Sequence, residues 1–314
     1  MEAFFLCQRY GLDGRYLSNV LNWLMELYAH GIITAADTDG IPMKWGSPEV
    51  IIGMARKLSY REGIGDLLAQ GIPVAAKKFG KASEKYLLII KGFVSCIHSP
   101  NLKTRVIGHA VSAIGHDSQT QPRLDNEAAR EYLAAKDEED FQLRIKKHLD
   151  QAEKMVGIRE AADPRTTAGK SALVRQNETR TAMADLSGVC TRATDFAQMP
   201  VDTKTIANFL TLGLGKTVSI DEVDRAGLRM QYLERAFAAN LGITRDDDQV
   251  SEGYYHRPKP TVKGYKELGV NKAELEKMKD DYYQLMGFDV KTGMPSREGL
   301  EKLDMTDVAD KLGL

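Results

Sequence analysis

The 314-residue chain has few cysteines and no surplus of charge of either sign. Its three cysteines, Cys7, Cys96 and Cys190, are widely separated, which excludes a disulfide framework and predicts reduced thiols in a cytoplasmic protein. The net charge is -1, from 43 basic and 44 acidic residues. A general nucleic-acid-binding protein would carry a basic excess, so we expect no nucleic-acid partner.

Long hydrophobic runs are also missing, and none reaches the length of a membrane-spanning helix. Glu2 places an acid where a signal peptide carries positive charge. What remains is ordinary globular composition, with 43% hydrophobic and 28% charged residues. The chain is long enough for two compact domains.

Apolar residues recur at helical spacing in the first part of the chain. Residues 16–30 are predicted to form an amphipathic helix that Gly31 ends. Ser47 and Pro48 have the chemistry of an N-cap and a first helical position. A third helix is predicted over residues 64–79.

The second half shows the same periodicity. A helix that opens near residues 168–171 carries the chain to Asp185, and another is predicted over residues 217–242. The side of the latter that we expect to be buried consists of Val223, Met230, Leu233, Phe237 and Leu241. Residues 123–160 are charge-dense, and they predict a solvated helix or an insertion.

The stretch with the most unusual chemistry is Asp185-Leu186-Ser187-Gly188-Val189-Cys190. Asp185 and Ser187 can accept hydrogen bonds from nearby backbone amides, and Gly188 lets a ligand approach the main chain closely. Cys190 adds a thiol within six positions of the carboxylate. A lone cysteine is commonly a small buried hydrophobe, but this combination favours contact with a cofactor.

This stretch resembles the Asp-x-x-Gly-Leu-Cys motif of the aldehyde ferredoxin oxidoreductase family, with Val189 in place of leucine. A second stretch, Gln8-Arg9-Tyr10-Gly11-Leu12-Asp13, is similar to the family's motif Asp-x-x-Gly-Leu-Asp, with Gln8 in place of the acid. The resemblance covers nearly the whole chain and is weakest over residues 93–160.

The resemblance implies that both motifs bind the pyranopterins of a tungsten or molybdenum bis-pyranopterin cofactor. Cys190 is implied as the last ligand of a [4Fe-4S] cluster. The implied pterin-binding residues are Gly11, Leu12, Asp13, Asp185, Gly188 and Val189.

The fold that the resemblance implies is all-α, with two helical domains facing each other across a cofactor-binding cleft. We expect the first domain to comprise residues 1–122 and to include a pocket loop. The second is expected over residues 123–314, with the charged insertion at 123–160.

Three histidines, His98, His109 and His116, lie among polar residues between positions 93 and 122. In the family, this region leads to a pocket over the metal, with a histidine near its end. His116 is therefore the first candidate for proton transfer and His98 the second, since imidazole titrates near neutral pH. Zinc binding is the alternative, although no pair among them has the helical i, i+4 spacing.

Two parts of the family's enzymes have no counterpart here. A [4Fe-4S] cluster takes four thiolates, and three scattered cysteines cannot supply the family's Cys-x-x-Cys-x-x-x-Cys run. The N-terminal β-rich domain that cradles the pterins is also missing. We therefore expect a separate subunit, or a missing N-terminal domain, to share both cofactors with this chain.

The function implied by the resemblance is oxidation of a small-molecule aldehyde, with water, to a carboxylic acid. Electrons would leave through the cluster to ferredoxin or another iron-sulfur carrier. Two alternatives stay open. One is a subunit of the related aromatic acyl-CoA ring reductase, favoured by the altered segment Ile97-His98-Ser99-Pro100-Asn101. The other is a non-catalytic helical fragment or scaffold without a cofactor of its own.

The cysteine count predicts that the isolated chain carries no [4Fe-4S] cluster, because three scattered thiols cannot supply four thiolates. Iron analysis and visible absorbance of the purified chain measure this. An iron content near four atoms per chain would contradict the prediction.

Overall fold

The computed structural model describes residues 2–94, 102–113, 115, 123–190, 193, 201–256 and 268–314. Helices dominate this part of the chain, which confirms the all-α prediction. The helices within it are α1 (Glu2–Tyr10), α2 (Gly14–Ala29), α3 (Pro48–Tyr60), α4 (Ile64–Ala69), α5 (Ile72–Phe79), α6 (Lys81–Glu84), α7 (Lys103–Val111), α8 (Arg123–Ala134), α9 (Glu138–Val156), α10 (Lys170–Leu186), α11 (Thr203–Leu214), α12 (Ile220–Asn240), α13 (Gly253–His256), α14 (Lys272–Met286), α15 (Arg297–Lys302) and α16 (Thr306–Lys311).

A short hairpin interrupts the helices: β1 (Ile89–Ile90) pairs antiparallel with β2 (Phe93–Val94). Of the described helices, none combines the length and hydropathy needed to cross a membrane.

The chain forms two compact units. Unit 1 comprises Met1–Ser99 and Val250–Pro258, and unit 2 comprises Pro100–Gln249 and Lys259–Leu314. The domain boundary predicted after residue 122 stays a prediction, because residues 116–122 lie outside the described part.

Helix α2 supplies much of the core of unit 1. Its buried side contains the apolar residues expected from the periodicity, including Leu17, Leu24 and Leu27. The indole Nε1 of Trp23 donates a hydrogen bond to the Ser83 carbonyl at 3.2 Å, which fixes α2 against the end of α6. The predicted start of α3 is also confirmed, since Ser47 Oγ accepts a bond from the Val50 N–H at 3.4 Å.

The single helix predicted over residues 64–79 is wrong, because two helices occupy this stretch. Helix α4 ends at Ala69, and Gly71 has a φ of 111°, which no α-helix contains. Pro73, near the start of α5, has no N–H to continue the hydrogen bonds of α4.

The charge-dense segment forms α8 and α9. Asp137 caps α9 by accepting a bond from the Asp140 N–H at 2.9 Å, and Gly157 ends it in the left-handed conformation. Phe141 and Ile145 are buried, so one side of α9 belongs to the core of unit 2 and the rest is solvated.

Helix α10 is the centre of unit 2, where it contacts α7, α9, α12 and α14. Its first residue, Lys170, is fully buried. The Lys170 ammonium forms an ion pair with the equally buried Asp125 of α8, with 2.6 Å between Nζ and Oδ1. It also donates to the backbone carbonyls of Ala161, at 2.9 Å, and Asp163, at 2.8 Å.

Helix α12 starts near the predicted residue, with a capping box of Ser219 and Glu222. Of the predicted buried side, Val223 is buried and Met230 is half-buried, but the prediction is wrong for the other three residues. Leu233, Phe237 and Leu241 are each more than half exposed. The residues of α12 that are buried instead are Val223, Gly227, Gln231, Tyr232, Arg235, Ala236 and Ala238.

Two contacts explain this rotation of α12. A Cβ at Gly227 would lie 2.7 Å from the Thr179 carbonyl oxygen, so only glycine allows this approach to α10. Arg235 is drawn inward by an ion pair with the buried Asp248, at 2.8 Å. Neither contact can be predicted from the spacing of apolar residues in the sequence.

We expect Lys170→Ala to lower the free energy of unfolding by about 3–5 kcal/mol, because it leaves the buried Asp125 carboxylate without its cation. Urea denaturation measures the loss. The double variant Lys170→Met with Asp125→Leu should recover most of it. Lys302→Ala, which removes an exposed ion pair with Glu298, is the control and should change little. Equal effects of Lys170→Ala and Lys302→Ala would contradict the prediction.

Candidate functional site

The first motif forms the C-terminal cap of α1. Gly11 adopts the left-handed conformation, with a φ of 63°. The Gly11 N–H donates to the Gln8 carbonyl at 3.4 Å, and the Leu12 N–H donates to the Cys7 carbonyl at 2.8 Å. These are the two hydrogen bonds of a Schellman cap.

The second motif forms the same cap at the end of α10. Gly188 has a φ of 67°. Its N–H donates to the Asp185 carbonyl at 3.1 Å, and the Val189 N–H donates to the Ala184 carbonyl at 2.9 Å. Residues 8–13 and 185–190 therefore have matching backbone hydrogen bonds, position by position. We call them the capped segments.

Both capped segments are accessible to a ligand. A Cβ built at Gly11 or Gly188 would meet no atom within 4 Å. Asp185 and Cys190 are exposed, as expected of a helix end, rather than packed in the core. The cap bonds use two of the last four carbonyls of each helix, so the remaining carbonyls can accept hydrogen bonds from a ligand, and the second segment adds the Asp185 carboxylate. The capped segments thus suit a ligand rich in N–H donors.

Asp13 has a structural contact that the sequence analysis did not assign to it. Its Oδ1 accepts hydrogen bonds from the backbone N–H groups of Arg15, at 2.7 Å, and Tyr16, at 3.2 Å. Asp13 is therefore the N-cap of α2, where a carboxylate also interacts favourably with the helix dipole. Its predicted contact with a cofactor stays a prediction.

A cleft of about 890 Å³ in unit 1 adjoins the first capped segment and was missed by the sequence analysis. Cys7, Asp13 and Gly14 line it near the segment. Phe4 and Trp45, which are 61% and 56% exposed, line it elsewhere. Its volume is that of a pocket for a small organic ligand. Its lining comes from α1, α2, the loop before α3 and α3 itself, so the cleft depends on how these segments pack, and no sequence motif reveals it.

The two candidate proton-transfer residues, His98 and His116, lie outside the described residues, as does Cys96. His109 is described, and it is fully buried in α7. Cys7 is also buried, and burial raises the pKa of its thiol. Within the described ranges, no group of three or more His, Cys, Asp or Glu side chains is arranged to hold a metal ion.

Comparison with known proteins identifies the class of this helical chain. Residues 1–305 match the family described as aldehyde ferredoxin oxidoreductase, domains 2 and 3. The chain belongs to this family, and it corresponds to the two helical domains that follow the first domain.

Several curated archaeal proteins are similar to the chain over almost its full length. A tungsten-containing aldehyde ferredoxin oxidoreductase of Pyrococcus horikoshii is 24% identical over 98% of the chain. An aliphatic sulfonate oxidoreductase, WOR-like subunit, of Pyrococcus furiosus is 26% identical over 95% of it. The chain spans only 45% and 41% of these two proteins, respectively.

A solved structure shares the fold. A chain of the active-site complex of benzoyl-coenzyme A reductase, solved with 1,5-dienoyl-CoA, aligns with this chain with a TM-score of 0.65. The alignment covers 97% of this chain and 46% of the solved chain. The sequence identity is 22%, so the likeness concerns the fold alone.

We expect Gly188→Ala to destabilise the end of α10 by about 1–2 kcal/mol, because the left-handed conformation is strained for a residue with a Cβ. Gly213→Ala, inside α11 and likewise without a contact within 4 Å, should instead be neutral or stabilising. Urea denaturation compares the two. Equal changes in stability for the two variants would contradict the prediction, because they would show that the left-handed conformation at position 188 does not require glycine.

Proposed function

We propose that this chain is the C-terminal portion of a cytoplasmic tungsten or molybdenum pterin enzyme that oxidises an aldehyde to a carboxylic acid. In the balanced reaction, an aldehyde and water give the acid, two protons and two electrons. The two matching capped segments, in a chain that belongs to the aldehyde ferredoxin oxidoreductase family, are the observation that carries this proposal.

The capped segments would hold the two pyranopterins. Helix-end carbonyls and the Asp185 carboxylate can accept hydrogen bonds from the N–H groups of a pterin ring. Gly11 and Gly188 leave open space for such a ring to approach the backbone, and Leu12 and Val189 continue each segment. When bound, the metal would supply two-electron redox chemistry. The residues of this chain would orient its ligand and hold it in place.

Cys190 would contribute one thiolate to the [4Fe-4S] cluster, because its thiol is exposed at the end of the second capped segment. Cys7 is buried and is not placed for this role. The remaining ligands would come from a β-rich N-terminal domain or subunit. Support for such a partner comes from the relatives, of which the chain spans about 45%. Ferredoxin or another iron-sulfur carrier would accept the electrons.

His116 remains the proposed proton-transfer residue, with His98 as the second candidate. An imidazole can accept and return a proton near neutral pH, and a positioned acid or base contributes about 10²–10⁴ to a rate.

The alternative is a subunit of an aromatic acyl-CoA ring reductase. This reading is supported by the fold that the chain shares with the benzoyl-CoA reductase complex. Because both activities use this fold, the fold does not decide between them. Assays with aldehydes and with aromatic acyl-CoA thioesters separate the two.

We expect three variants of the chain, reconstituted with its N-terminal partner, to lose different properties. Asp185→Asn should reduce pterin content, since it removes the carboxylate acceptor. Cys190→Ser should reduce iron content, since it removes a thiolate. His116→Ala should retain both and lower turnover by about 10²–10⁴. Metal analysis, pterin fluorescence and aldehyde-dependent dye reduction measure these properties.

Asp246→Asn serves as a charge-matched control for Asp185→Asn, since Asp246 lies in an exposed acidic turn of unit 2 and should leave every property unchanged. If all three site variants retain normal cofactor content and turnover, the proposed site is refuted. A chain that acquires neither pterin nor iron with any partner would favour the non-catalytic scaffold.

A further inference from the structure

A second cleft, of about 750 Å³, lies within unit 2 and is lined by no residue of either capped segment. Helices α9, α10, α11 and α12 contribute its walls. A volume of this size accommodates a small organic molecule. We call it the cationic cleft, because lysine and arginine side chains outnumber acids in its lining.

Positive charge dominates the lining. The cationic residues are Lys154, Arg175, Arg180, Lys204 and Arg225. Against these five, two acids, Asp202 and Asp224, line the same cleft. This local excess contrasts with the net charge of -1 for the whole chain. Clefts lined by one sign of charge concentrate ligands of the opposite sign.

The two acids are engaged in local contacts. Asp202 is the N-cap of α11, where its Oδ1 accepts bonds from the Thr205 N–H, at 2.8 Å, and the Thr205 hydroxyl, at 2.7 Å. Burial raises the pKa of Asp224, so its surroundings disfavour its negative charge. Both acids also interact electrostatically with Arg180, which leaves the cations of the lining in excess by three.

Arg175 is the lining arginine with the fewest contacts in the described part of the chain. Among the described residues it forms no ion pair, and its Nε is buried without a hydrogen-bond acceptor. An anion in the cleft would give the Arg175 guanidinium the charged partner that no described carboxylate supplies. Lys154 and Lys204 likewise form no ion pair with a described residue, whereas Arg225 pairs with Asp304 at 2.7 Å.

The cationic cleft also has an apolar wall, formed by Met155, Val156, Leu228 and Leu285. An inorganic anion would leave this wall in contact with water, whereas an organic anion would cover it. Guanidinium groups match the geometry of phosphate, with two parallel hydrogen bonds. We propose that the cationic cleft binds an organic phosphate, with the phosphate at Arg175 and the organic portion on the apolar wall.

Isothermal titration calorimetry of the full chain at low salt tests this proposal, with ADP, pyrophosphate and adenosine as probes. ADP should bind most tightly, pyrophosphate more weakly, and adenosine not measurably. Arg175→Gln should weaken ADP binding by about tenfold or more, since it removes a charge-assisted hydrogen bond. Lys204→Gln, at an exposed position, should weaken it by a smaller factor that declines as salt is added.

Lys147→Gln is the matched control. Lys147 lies on α9, as Lys154 does, but does not line the cleft, so ADP binding should be unchanged. If Arg175→Gln fails to fold, the difference in ADP binding between Lys204→Gln and Lys147→Gln still tests the proposal. The proposal is overturned if the chain binds no ADP or if all three variants weaken binding equally. Binding of a polyglutamate peptide in place of ADP would also overturn it and would identify an acidic protein partner.

Discussion

A fully buried ion pair between Lys170 and Asp125 fixes the place where helix α10 begins. Two charges are tolerated in a protein interior only when hydrogen bonds satisfy them. The three ammonium hydrogens of Lys170 have three acceptors, which are Asp125 and two backbone carbonyls. Thr104 of α7 donates its hydroxyl to the other oxygen of Asp125 at 2.5 Å. The start of α10 is thereby tied to α7 and α8, and its far end carries the second capped segment.

A second buried network sets the rotation of the helices around α10. The Tyr282 hydroxyl of α14 donates to Glu178 of α10 at 2.6 Å. The adjacent Tyr283 donates to Asp248, which also binds Arg235 of α12. Burial, the largest cause, raises the pKa of both tyrosines, so they remain protonated donors across the physiological range. Polar contacts thus hold α12 with Leu233 and Phe237 facing outward.

The two capped segments share a backbone conformation but differ in the residues after the glycine. After Gly11, the chain enters α2, and the Asp13 carboxylate is used as the N-cap. After Gly188, the corresponding position is Cys190, whose thiol is exposed. The first segment therefore offers mainly carbonyls beside an apolar cleft, whereas the second offers carbonyls, a carboxylate and a thiol. This asymmetry is consistent with the proposal that only the second segment ligates a cluster.

The sequence by itself determined the helical class, the Ser47 cap of α3 and the end of α2 at Gly31. These features depend on residues a few positions apart, whose chemistry can be read locally. Only the tertiary structure decided the break at Gly71, the buried side of α12, the partner of Lys170 and the two clefts. Each of these depends on the approach of distant segments, such as Thr179 to Gly227. Apolar periodicity indicates which residues of a helix could be buried. The buried ion pairs and close backbone contacts determine which of its residues are buried.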